Sequence, residues 1–455
     1  MKINKNIYLY TAILFTSSFI ASCTKKEDIS VEPKKPEKDI LDFVINNANY
    51  PKVIHLYSDT VYNISGVFNR FDGEQLIIDA GTLIKLGKFD KNAPSGSTLG
   101  GIFIGPGGSI IANGSAQKPI IFTSNAPKGL QGTNWQGIYI KGKSFNNSGG
   151  TLGNATDFSC SLKYVRIEFS SLTLDGVGNQ SVVENVQVSY TKPQSAFNIL
   201  GGTFNARNLI SYACGGPNDF YIGSGYTGKI QNILALRHPY IATLGNGNLQ
   251  AIAGVYIENN SNKGALPNTF PVISNLTIIG PSIQNGINGN YARSAALIVA
   301  NNAKYLIKNS LFLDYPVTTW VITDKESYNN LREKKAEVDY SIFYTKTLQS
   351  PFLLIPSGVA PFTSANFTGI VASYNNNKST DVGAPAFYKT PFNYENIDLT
   401  VNSNSTILYK ANFEGIYFSN SFFNKVNYIG AIGIDNWLQD WTNFIPLRTS
   451  YNQPQ

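Results

Sequence analysis

Three arginines, Arg166, Arg207 and Arg237, are the cations in this chain best suited to proton abstraction. An arginine or lysine base, set beside carboxylates that hold calcium, can remove the acidified proton next to a uronate carboxylate. No acidic cluster accompanies these three. A glycosidic bond could instead be hydrolysed by two carboxylates roughly 5–10 Å apart on one face. Glu168 and Asp175 are candidates for that only because they are near in sequence, and solvent-facing side chains are the simpler reading. His55 lies in the strand-like run VIHLY, and His238 precedes a proline in LRHP. Neither has a cysteine or carboxylate at metal-ligand spacing. Cys160 and Cys214 could pair in an oxidising compartment. No phosphate-cradling glycine motif, Gly-x-Ser-x-Gly or nucleophilic cysteine constellation is present.

The elements that would position such groups follow a repeat. Asn185, Asn208, Asn232, Asn275 and Asn309 each sit just before an apolar, strand-like run, at intervals of 23, 24, 43 and 34 residues. Tyr164 in LKYVRIEF holds the same place, 21 residues before Asn185. An interval near 22 is one turn of a repeat; 43 is two turns or one with a long loop, and 34 is one turn with an insertion. The units are short strands of β-branched and aromatic residues bounded by Gly, Asn, Ser or Pro, and no helical unit recurs. The expected fold is all-β: a right-handed parallel β-helix, a single-stranded solenoid with long loops and a short C-terminal helical cap. Coils stack about 4.8 Å apart, so the five asparagines form one column and can bond amide to amide along the axis. Against that column Arg166, Arg207 and Arg237 fall at +2, −1 and +5, so they do not stack.

Earlier segments behave alike: GTLIKLG (81–87), KPIIFTS (118–124) and WQGIYIKG (135–142) are short strands with glycine punctuation. Loops such as KFDKNAPSGS between them are places where function can sit. Solenoid ends expose strand edges and need covers. DNWLQDWTNF (435–444) spaces Trp437 and Trp441 as a helix would, predicting a cap over the last coil, with ligand stacking as the alternative role. DKESYNNLREKKAEV (324–338) reads as a surface helix inserted between coils.

The chain of 455 residues is 42% hydrophobic and only 14% charged, with 40 Gly, 26 Tyr and 27 Phe, which suits an all-β protein with tight turns. Its +7 charge is spread along the chain, with no basic stripe for nucleic acid. Residues 1–22 read as a signal peptide, with Lys2 and Lys5 ahead of an apolar stretch too short to span a membrane. Ile20-Ala21-Ser22-Cys23 resembles the lipobox of bacterial lipoproteins, which makes Cys23 the lipidated first residue. Residues 23–45 are then a lipidated flexible tether, 46–430 the solenoid and 431–455 the cap. Lys26-Glu27-Asp28 resembles an export signal of Bacteroidota surface lipoproteins and implies the outer face of the outer membrane.

From Gly81 onward the chain resembles a family of Bacteroidota β-helix lipoproteins, related in fold to pectate-lyase-like right-handed β-helices. The resemblance rests on GGSIIANGSAQKPIIFTS, NWQGIYIKG, LKYVRIEFS, GGTFNARNLISY, GYTGKIQNILALR, PVISNLTIIG and WLQDWTNF. That family carries acidic clusters before GGT and GY. Here Gln194, Ser195 and Asn198 stand in the first place, and Asp219, Tyr221 and Gly223 in the second. One carboxylate among amides is a poor calcium site, so no metal and no cofactor is expected, and Asp219 reads as a turn residue. The expectation is a non-catalytic binding protein or accessory subunit of an outer-membrane nutrient-uptake assembly. By analogy its partner is a TonB-dependent transporter. The alternatives are a lyase or hydrolase acting on an acidic glycan, and a glycan-binding adhesin, whose sign would be exposed aromatics on one face.

Overall fold

A computed structural model describes residues 35–40, 51–87, 100–128, 131, 135–149, 153–239, 241, 252–281, 294–316, 318–345, 351–374, 377–434 and 436–451. Cys23, the signal peptide and most of the tether lie outside them, as does the loop 88–97. The account below concerns one unit, residues 35–449.

Among the described residues every strand pairing is parallel except that of Tyr388–Thr390 with Asp398–Val401. The parallel strands form a 17-stranded and a 10-stranded sheet, and the chain passes from one to the other on every coil. The fold is a parallel β-helix solenoid. One coil runs from Val182–Ser189 in the large sheet through Phe197–Leu200 in the small one to Asn205–Tyr212, stacked in register on Val182–Ser189. The 43-residue interval is a single coil with long connections, since Lys229–Leu236 pairs directly with Val272–Ile279. Stacking begins at Glu37–Asp39, inside the expected tether, and ends at Lys378–Ser379, well short of residue 430.

Each long strand of the large sheet is bent into two arms at its column residue. Tyr164, Asn185, Asn208, Asn232, Asn275, Asn309 and Tyr340 all adopt left-handed backbone, with φ between 50° and 62°. Asparagine tolerates that conformation better than most residues, which explains its recurrence at this bend. Its amide adds a second reason: Asn208 Nδ2 donates to Asn185 Oδ1 at 2.9 Å, and Asn232 Nδ2 to Asn208 Oδ1 at 2.8 Å. The ladder then turns aside. Asn275 Nδ2 donates to the carbonyls of Tyr428 and Gly430, and Asn309 Nδ2 to Ser274 Oγ and the Asn412 carbonyl. Asn232 Oδ1 therefore has no hydrogen-bond partner among the described residues. Replacing Asn208 by alanine should cost about 3 kcal/mol, from two amide bonds and a left-handed alanine, and by glycine about half of that. Denaturant unfolding measures both; equal losses would mean the backbone contributes nothing.

The interior is lined by columns such as Leu162, Val183, Ala206, Ile230 and Ile273, all buried. Phe197 and Phe220 stack there at 4.7 Å. The helix Lys325–Arg332, capped by Asp324, lies between coils as expected, but buries Tyr328 and Leu331 in the core. The end of the core is closed by the helix Ser364–Ser373, whose Phe367 meets Trp320 at 4.9 Å and Phe352 at 5.6 Å.

The C-terminal region therefore has another job than capping the last coil. Over 436–445 it forms turns, not a regular helix, and it lies along the outer face of the large sheet. Trp441 is 1% exposed and meets the edge of Tyr164, many coils from the end, which removes it as a ligand platform. Trp437 stacks on Trp441 at 6.3 Å and donates its indole N–H to the Ala431 carbonyl. Beneath this segment the outer residues Ile210, Leu234, Leu236, Ile279, Leu311 and Leu313 form a second apolar core with Tyr388, Leu399, Ile407, Ile432 and Leu438.

Besides Asn275, three side-chain amides each grip both the N–H and the carbonyl of one residue of the segment. Gln187 donates to the Asn443 carbonyl and accepts from its N–H, both at 2.8 Å. Gln231 grips Asn424 in the same way at 2.7 and 2.8 Å, and Asn309 grips Asn412 at 3.0 and 2.8 Å.

Candidate functional site

The segment and the core account for all three candidate arginines. Arg166 is 8% exposed, on the covered face, 3.9 Å from Glu168. Glu168 itself accepts from Thr123 and Asn443. Arg207 lies over the Phe422 ring at 4.4 Å and donates to the Phe422 carbonyl. Arg237 is fully buried. Its Nε bonds Asp219 at 2.6 Å, and its two Nη atoms reach the carbonyls of Cys214, Gly216, Pro217 and Ala253. Asp219, expected as a turn residue, is thus an internal counter-ion that also accepts from Ser211 at 2.6 Å. Burial pushes its carboxyl up, against the opposing pull of Arg237 and the Ser211 hydroxyl. All three arginines are engaged within the protein itself.

The remaining candidates are also structural. His55 pairs with Asp79 at 2.7 Å on the surface. His238 packs on Tyr394 at 4.3 Å, and burial lowers its pKa. Cys160 and Cys214 are both buried and free, with the Cys160 thiol pushed up to about 12 by burial. Among the described residues no group of three or more His, Cys, Asp or Glu side chains is arranged to hold a metal.

The outside of the small sheet is half-buried from Phe103 to Tyr256, and beyond Tyr256 the same line of positions continues as Ile298 and Val321, which are buried. Register places Phe103, Tyr139, Thr173, Asn198, Tyr221 and Tyr256 in one outward column, between inward columns of Ile, Leu, Phe and Val. Asn69 pairs with Phe103 at the start of this column, and Phe71, just past that strand, meets Phe103 at 5.9 Å, which in turn meets Tyr139 at 5.5 Å. A second aromatic pair follows further along, with Tyr221 and Tyr256 stacked at 5.8 Å and 10°. Between Tyr139 and Tyr221 stand only Thr173 and Asn198, joined by a 3.3 Å hydrogen bond. Two short side chains between tyrosines three rungs apart make a notch about 14 Å from ring to ring.

A neighbouring outward column pins the rings. Tyr139 donates its hydroxyl to Asp175 Oδ2 at 2.6 Å, and Tyr221 donates to Glu258. Asn146 Nδ2 bonds the other Asp175 oxygen at 2.6 Å, and Asn301 Nδ2 the other Glu258 oxygen at 2.7 Å. Burial, then the bond to a carboxylate, holds the Tyr139 and Tyr221 hydroxyls far above their ordinary range; Tyr256 is pushed up to about 12, chiefly by burial. Lys141 stands 4.0 Å from Asp175, and Lys143 bonds Asp72 at 2.6 Å. Asp175 and Glu258 are three rungs apart, about 14 Å, too far for paired-carboxylate hydrolysis. Asn146 and Asn147 form a wall along this face, Asn147 reaching Asn259 at 2.8 Å and the Pro267 carbonyl at 2.9 Å.

This face went unnoticed in the sequence, although a signal was present. The segments IYI, LTL, FNI, FYI and VYI, at 138–140, 172–174, 197–199, 220–222 and 255–257, each flank the outward residue with two apolar ones. A model of the family described as pectate-lyase like beta helix domain matches residues 48–351. No curated protein and no solved structure matches the chain.

Proposed function

We propose, from the premise that this chain belongs to the pectate-lyase-like β-helix domain family, that it binds glycans without cleaving them. The observation that carries this reading is the notch between Tyr139 and Tyr221, on a half-exposed face where both tyrosines are fixed by carboxylates. Aromatic side chains with an apolar body and a tethered hydroxyl suit ligands that present both C–H faces and hydroxyl edges. The engagement of Arg166, Arg207 and Arg237 elsewhere argues against the lyase alternative.

The lipobox-like segment ending at Cys23 and the polar stretch after it support a lipid-anchored protein on the outer membrane. There it would hold a glycan at the cell surface, as an accessory subunit to a TonB-dependent transporter. Purified protein should bind members of a glycan array and release neither new reducing ends nor unsaturated uronates. Tyr221→Ala should weaken that binding at least tenfold, about 1.4 kcal/mol, with the fold unchanged by circular dichroism. Product formation, or binding indifferent to Tyr221, would remove this reading.

A further inference from the structure

We infer that the ligand of the small-sheet face is a neutral, hydroxyl-rich glycan chain rather than a uronate polymer, an inference that rests on reading that face as glycan-binding. The charges around the notch decide the matter. Asp175 borders Thr173 two residues along its strand, and Glu258 anchors the Tyr221 wall. Of the nearby cations, Lys141 already faces Asp175 and Lys143 already bonds Asp72. The small sheet's own arginine, Arg70, is fully buried, as is Arg237, and Arg166 and Arg207 are on the other sheet. A polyuronate would bring a carboxylate every sugar toward Asp175 and Glu258, where Lys141 and Lys143 are already matched by Asp175 and Asp72, and like charges at this range repel.

A neutral chain meets no such penalty. Its ring faces lie against Tyr139 and Tyr221, while its hydroxyls meet Thr173 Oγ1 and the Asn198 amide on the notch floor, groups able to donate and accept. Carboxylates accept further hydroxyl bonds strongly, so Glu258, half-buried beside Tyr221, is a suitable acceptor at the rim. The notch spans about two rungs of free length, room for one or two pyranose rings, with the chain continuing along the solenoid axis.

The test is titration calorimetry at low salt with neutral gluco-, manno- and xylo-hexasaccharides and with hexagalacturonate. At least one neutral probe should bind, and hexagalacturonate at least tenfold more weakly. Filling the notch with Thr173→Tyr and Asn198→Tyr, which only continues the existing aromatic column, should abolish neutral binding. Glu258→Gln should narrow the gap between neutral and acidic probes. Hexagalacturonate binding tightest, and still dependent on Tyr221, would overturn the neutral assignment and leave the face as a glycan site. Absence of binding by every probe, or full binding by the filled variant, would overturn the assignment and the reading of the face together.

Discussion

A chain ending at residue 380 should not accumulate as a soluble monomer. Among the described residues, the chain after that point leaves the stack, and residues between 384 and 444 cover the outer side of the large sheet, over Ile210, Leu234, Leu236, Ile279, Leu311 and Leu313. Fully burying one such side chain contributes about 1.5–3 kcal/mol, so losing the cover on six removes on the order of 10 kcal/mol. That is comparable with the whole stability of an ordinary domain. The exposed patch would also be contiguous along the solenoid, the arrangement that drives association. Soluble yield and size-exclusion chromatography read the outcome. A milder lesion, Trp441→Ala, should cost about 3–5 kcal/mol by leaving a cavity against Tyr164 and Trp437. A soluble, monomeric truncated chain with unchanged circular dichroism would show that the outer core is dispensable.

Arg237→Ala should be the most damaging single substitution, at about 3–5 kcal/mol, because it strands a buried carboxylate and four carbonyls. A guanidinium has five N–H groups, and this one commits all of them: one bond to Asp219 and four to main-chain carbonyls. Asp219→Ala should also be severe, leaving a buried cation. The pair belongs to one network, so the double variant should lose less than the two single losses added together. Chemical denaturation of the four proteins closes the cycle, and strict additivity would contradict the geometry.

The asparagine column was legible because two physical needs coincide in one residue type. A bend with φ near 57° and an amide ladder both select asparagine at a fixed phase, so the repeat shows through variable loops. The next position, Tyr340, shares the conformation but not the amide, and periodicity in asparagine alone passes over it. The second core was harder to read. NLISY, NILAL, NLTII and NSLFL are apolar at successive positions, so both faces of those strands must be buried. Their cover comes from residues 384–441, so no local pattern pairs them. The arginines illustrate the same limit, since Arg207 and its partner Phe422 are 215 residues apart. The small-sheet face differs again: its half-exposed outward residues are Phe, Tyr, Thr and Asn, and only strand register reveals that they share a line.

The grip of Gln187, Gln231 and Asn309 on residues 443, 424 and 412 touches only peptide groups. A template that recognises the main chain is indifferent to what the docked residue is. The instruction for where the tail lies is therefore written in the solenoid, and the tail is free at Asn424 to drift in identity while keeping its address. Selection for a new outer surface could rewrite such positions without disturbing the coils below.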